Sequence, residues 1–121
     1  MAAPDVPVSL SAKYALIDDH WSPKIVAEFN GNHVKLVKVE GTFEWHTHDD
    51  TDEVFMCLGG ELVIEVDGRE PAHLAAGDLY VVPRGVRHRP IASEEALIAI
   101  VEPADTPNTG DEATAAEESW I

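Results

Sequence analysis

The chain has 121 residues, 45% of them apolar, and 23 acidic against 8 basic side chains give a formal net charge of −15. That length suits one domain with a sizeable core. The charge argues against nucleic acid, whose binding needs a basic face to displace phosphate counterions, and against an anionic membrane surface. No apolar run approaches the ~20 residues of a membrane span. Residues 1–5 lack the basic start and long apolar core of a secretory signal, so the cytoplasm is the expected location. Cys57 is the sole cysteine, which rules out an intrachain disulfide and fits a reducing compartment.

In chain order, residues 1–24 form an arm without sustained periodicity, in which 12–19 suit a short helical turn. Strands are predicted over 25–30 and 33–40, joined by a turn at Gly31 and Asn32. Gly41 breaks the second. A third strand is predicted over 43–48, ending in the acidic loop 49–52. Residues 54–58 follow, then the turn pair Gly59 and Gly60. Over 61–66, Leu62, Ile64 and Val66 alternate onto one face. Asp67 and Gly68 signal a hairpin leading into a strand over 69–74. Residues 79–82 are apolar and stop at Pro83. Strands over 88–92 and 96–102 complete the series, with Ser93, Glu94 and Glu95 between them. Many short strands with glycine turns imply an antiparallel sandwich or barrel. Residues 103–121 carry five acidic and no basic side chains, the composition of a solvated tail, although Trp120 and Ile121 at its end suit docking.

The chemistry concentrates in His46, His48, Glu53 and His88. Alternate residues of a strand share a face, so His46 and His48 can project together. Three imidazoles and a carboxylate suit one divalent ion, whether Fe, Mn, Ni, Zn or Cu, and affinity alone does not choose among these. Four protein ligands on a six-coordinate ion leave two positions open, as catalysis requires.

The stretch Gly41-x4-His46-x-His48-x4-Glu53-x6-Gly60 resembles the first motif of the cupin family. The stretch Gly77-x5-Pro83-x-Gly85-x2-His88 resembles the second. Two positions depart from the usual pattern: four residues rather than five separate Gly41 from His46, and Ala92 stands where Asn is common. Neither touches a ligand position. The resemblance implies an all-β antiparallel jelly-roll barrel over 25–102, with His46, His48, Glu53 and His88 as metal ligands. It also implies a homodimer, since small cupins commonly pair. The arm's Leu10, Tyr14, Leu16, Ile17 and Trp21 also need burial somewhere, a second subunit being one place.

Arg84, Arg87 and Arg89 surround His88 in a chain with only four arginines. If His88 faces inward, strand parity sends Arg87 and Arg89 outward, toward salt bridges or an outer surface. Arg84 lies in the Pro83–Gly85 turn and is a candidate contact for an anionic substrate. Phe55 shares parity with Glu53 and is expected to wall the pocket, and Cys57 is expected as a buried, inert thiol. Trp45 is expected outside the cavity, and Asp49, Asp50 and Asp52 as solvated or ligand-supporting groups. His20 and His33 are read as surface residues. The expected function is that of a metal-binding small cupin acting on a small anionic or keto-enol molecule. Its chemistry is that of a dioxygenase, or of an isomerase, epimerase or lyase. The alternative is a non-catalytic sensor or storage module.

Overall fold

A computed structural model describes residues 6–121. Eight strands and one short helix form a jelly-roll barrel. The elements are α1 (Leu10–Tyr14), β1 (Lys24–Phe29), β2 (Asn32–Thr42), β3 (Glu53–Gly59), β4 (Glu61–Val66), β5 (Ala72–Ala75), β6 (Leu79–Val82), β7 (His88–Pro103) and β8 (Ser119–Trp120). Hydrogen-bonded neighbours run β5-β4-β7-β2-β1-β8, while β3 joins β6 to β7. All pairs are antiparallel except β1 with β8. Among the described residues no helix is long and apolar enough to cross a membrane.

Strand β7 organises the barrel. One edge pairs with β2 along nearly its whole length. The other edge serves β4 through residues 88–91 and β3 through residues 97–101. The two predicted strands 88–92 and 96–102 are therefore one. Ser93, Glu94 and Glu95 do not end it. They bulge opposite Glu40 alone, because Ala92 pairs with Gly41 and Ala96 with Val39. The polar triplet signals a local kink, which a sequence pattern does not distinguish from a turn.

The predicted strand 43–48 is also corrected. β2 runs on to Thr42, and beyond it only His46 makes an isolated bridge, to His88. Its N–H and carbonyl exchange bonds of 3.0 and 2.9 Å with the His88 backbone. Gly41, with φ of 93°, lets the chain leave the regular ladder where a side chain would resist that conformation.

Two apolar clusters follow from strand parity. Inward residues such as Val37, Val39, Phe55, Leu62, Ile64, Ile98 and Ile100 fill the barrel. On the outer face of β1, β2 and β7, Val26, Leu36 and Ala99 receive Tyr14 and Ile17 from the arm. Ser9 starts the helix by capping the Ala12 N–H at 3.2 Å. The Tyr14 hydroxyl donates to the Ile98 carbonyl at 2.6 Å. Burying each of these arm side chains is worth roughly 1.5–3 kcal/mol. Tyr14, Ile17 and Trp21 thus find their cover on the chain's own barrel, whereas Leu10 and Leu16 stay exposed.

The C-terminal segment docks rather than floating as a solvated tail. Trp120 pairs with Ile25 in β1, and its ring meets His33 edge-on at 5.7 Å. His33, read from sequence as a surface residue, is consequently only 7% exposed. Gly110 lies so close to Thr47 that a Cβ there would collide with the Thr47 carbonyl, and its φ is 77°. Gly110→Ala is expected to destabilise the protein by about 1–3 kcal/mol, read as a lowered melting temperature. An unchanged melt would mean that the segment does not press on the His46–His48 loop.

Candidate metal centre

The four residues predicted as ligands converge. One donor atom from each of His46, His48, Glu53 and His88 lies within 4.8 Å of the others, and all four side chains are buried. Glu53 opens β3 and His88 opens β7, while His46 and His48 come from the irregular segment after β2. The Gly85 N–H donates to the His48 carbonyl at 2.8 Å, tying the two motif loops together. Asp52 accepts from the Arg84 backbone N–H at 2.8 Å and holds the same loops from the outside.

The imidazoles are oriented for coordination. Nδ1 of His46 lies 3.0 Å from the Glu44 carbonyl, and Nδ1 of His88 lies 2.9 Å from the Val86 carbonyl. A carbonyl only accepts, so each Nδ1 donates to it, and Nε2 is the nitrogen turned toward the cluster. Nε2 of His88 and of His48 stand 3.2 and 3.3 Å from Glu53 Oε1. The His48 Nε2 is buried without a hydrogen bond. Burial pushes His46 down to about 4, so its ring is neutral at physiological pH. Burial alone would raise Glu53, but the His48 and His88 rings beside it outweigh burial and hold the carboxylate below its usual range. Three buried imidazoles around one carboxylate, with the His48 Nε2 left without a hydrogen bond, fit a divalent metal.

His46 and Glu53 line a half-open, largely apolar cavity. Phe55, Phe43 and Trp21 wall it, with Val37, Leu62 and Ile100. Trp21 stacks on Phe43 at 4.9 Å and anchors its indole N–H on the Glu40 carbonyl at 2.9 Å. Phe55 thus takes its expected place as a wall. Arg84 does not line the cavity. Its side chain is 65% exposed, with Nε 3.7 Å from Asp52. Arg87 and Arg89 stack on Trp45 at 4.7 and 4.8 Å, and Arg89 also pairs with Glu65 at 2.6 Å. Cys57 is fully buried, burial raises its thiol, and Sγ points at the Gly59 and Gly60 carbonyls.

Sequence reasoning missed Glu102 and Lys35. Glu102 lines the cavity with His46 and Glu53. Burial, then the nearby charge of Glu53, pushes it up to about 9. Lys35 is fully buried, and its ammonium contacts Glu102 at 2.8 Å, Glu118 at 2.6 Å and the Thr106 carbonyl at 3.2 Å. Burial works against this ammonium, but the charge and hydrogen bond of Glu102, then those of Glu118, outweigh it and raise Lys35. Parity was the available signal: Lys35 shares a face with Val37 and Val39, and Glu102 with Ile98 and Ile100.

A jelly roll with three imidazoles and a carboxylate at its mouth defines a single-domain cupin. Residues 32–101 match the cupin domain family, and the chain belongs to it. A cupin-2 domain protein of Shewanella frigidimarina is 48% identical, over 79% of this chain and 93% of its own, with a TM-score of 0.77. The uncharacterized protein YdbB of Bacillus subtilis is 41% identical over 64 residues, which are 53% of this chain and 57% of YdbB. This chain's match thus spans little more than half the length of that curated relative. A hydroquinone 1,2-dioxygenase of Sphingomonas sp. TTNP3, solved with 4-hydroxybenzoate bound, is 19% identical with a TM-score of 0.73. That match covers 80% of this chain and 32% of the dioxygenase and shows a shared fold.

Proposed function

We propose that this cupin is a mononuclear metal enzyme of the dioxygenase type, acting on a small, largely apolar enol or phenol. The observation that carries the proposal is the ligand set His46, His48, Glu53 and His88 opening onto an aromatic-walled cavity. A divalent ion held there supplies a Lewis-acid or oxygen-activating centre. The chain's own residues do the rest. Phe55, Phe43 and Trp21 exclude water and fit a flat ring. The Glu44 and Val86 carbonyls fix the tautomers of His46 and His88. The hydroquinone 1,2-dioxygenase with a bound hydroxybenzoate supports the substrate class by shape of fold. The apolar lining favours an enol or phenol over a carboxylate, and exposed Arg84 has no part in this reading. The buried, unpaired thiol of Cys57 supports a reducing compartment such as the cytoplasm.

Metal content of protein purified without added metal, followed by oxygen uptake with a panel of hydroquinones and enediols, tests the proposal. Bound metal with substrate-dependent oxygen uptake is expected. Turnover without oxygen uptake would instead mark an isomerase or lyase, and ligand binding without turnover a sensor or storage module.

We propose further that two copies pair. The support is an apolar face on β3 and the edge strand β6, where Leu58, Leu79 and Val81 are 39%, 61% and 43% exposed. A dimeric mass by light scattering is expected, falling to monomer in Leu79→Lys. A monomer at all concentrations would discard this assembly.

A further inference from the structure

Glu102 is the one acidic side chain in the cavity wall, Glu53 apart, and it is only 2% exposed. Its two oxygens have different surroundings. Oε2 accepts from the Lys35 ammonium at 2.8 Å. Oε1 has no hydrogen-bond partner among the described residues. The Glu53 carboxylate lies near enough to raise Glu102, and the cavity wall they share is otherwise mostly apolar, with Val37, Leu62 and Ile98 beside His46 and Asn108. Lys35 cannot turn to help a ligand. An ammonium has three protons, and Glu102, Glu118 and the Thr106 carbonyl take all three.

A buried oxygen left without a partner is unfavourable, and a ligand in the cavity that Glu102 lines can supply one. We propose that Glu102 Oε1 is the hydrogen-bond partner of a hydroxyl group on the cavity's ligand. The cavity then selects small apolar molecules that bear an O–H over isosteres that lack one. A hydroxyl both donates and accepts, so it satisfies this oxygen whichever carboxyl oxygen carries a proton. An ether only accepts, and an organic fluorine does neither well. This inference rests on reading the cavity as a ligand site, but it needs neither oxygen chemistry nor a particular metal.

The test compares para-hydroxybenzonitrile with para-fluorobenzonitrile, in which fluorine replaces the hydroxyl at similar size. Binding is measured by calorimetry on metal-loaded and on EDTA-treated protein. The wild type is expected to prefer the hydroxyl compound by about tenfold or more, with or without metal, as for sites built to bond a ligand O–H. Glu102→Met should reduce the preference to below about twofold, and Glu102→Gln, which keeps a polar partner, should retain most of it. A merely structural role for Glu102 would weaken both ligands together and leave their ratio alone. An unchanged ratio in Glu102→Met overturns the proposal. So does a wild type that binds neither compound or does not discriminate, a comparison that needs no variant to fold. Metal content of the same samples separates this result from the proposed function: the hydroxyl preference can stand in protein that takes up no metal.

Discussion

His48→Ala is expected to lose its metal, with affinity lower by roughly 100-fold or more, since loss of even an outer partner of a ligand costs 10–100-fold. The four donors lie within 4.8 Å of one another, so each supplies one of the four protein ligands. His48 contributes a nitrogen that has no hydrogen bond to fall back on. Removing it leaves Glu53 with one imidazole neighbour, His88, in place of two. His20→Ala is the matched control. His20 lies at the surface, 2.7 Å from Glu95, and its loss should leave metal content unchanged. Elemental analysis of the three proteins, purified in parallel, decides the matter. Equal retention in wild type and His48→Ala would remove His48 from the ligand set.

How far the sequence revealed this arrangement depends on the distance between the residues involved. His46, His48 and Glu53 sit within one short stretch, and parity along β3 carries Phe55 and Cys57 inward with Glu53. Those placements needed only local rules. The same rules drew 61–66 and 79–82 with their observed bounds, because glycines flank the first and Gly77 and Pro83 the second. They failed over 43–48, where the apolar and histidine pattern reads as a strand but the backbone bridges only at His46. The failure has a physical reason: the segment takes its order from scattered backbone bonds to Gly85, His88 and Pro90, distant in sequence, not from a continuous ladder. Ser93, Glu94 and Glu95 likewise look like a turn until β2 is known to run beside them. Lys35 was hidden most deeply. Its partners Glu102 and Glu118 lie far along the chain, and Glu118 belongs to a segment whose acidic composition reads as solvated.

That hidden cluster sets the largest stability effect expected of a single change. Lys35→Met should destabilise the protein by about 3–5 kcal/mol, the usual consequence of removing one partner from a buried ion pair. Methionine fills the stem's volume but offers no proton to Glu102, Glu118 or the Thr106 carbonyl. Glu102 tolerates the loss as a neutral acid, because burial raises it to about 9. Glu118, with a side chain 12% exposed, has another escape: it can reach water if residues 104–121 lift from the barrel. The C-terminal segment should therefore loosen before the barrel melts. Two observables follow. The melting temperature should fall by roughly 10 °C or more. Hydrogen exchange should quicken first at the Ile121 N–H, which donates to the Ile25 carbonyl at 3.1 Å in the folded chain. Adding Glu118→Leu to Lys35→Met should recover much of the loss, since the unpaired charge is then gone. A melting temperature within about 2 °C of wild type in Lys35→Met would show that the buried ammonium contributes little net stability, as hydrophobic replacements of whole ion pairs sometimes do.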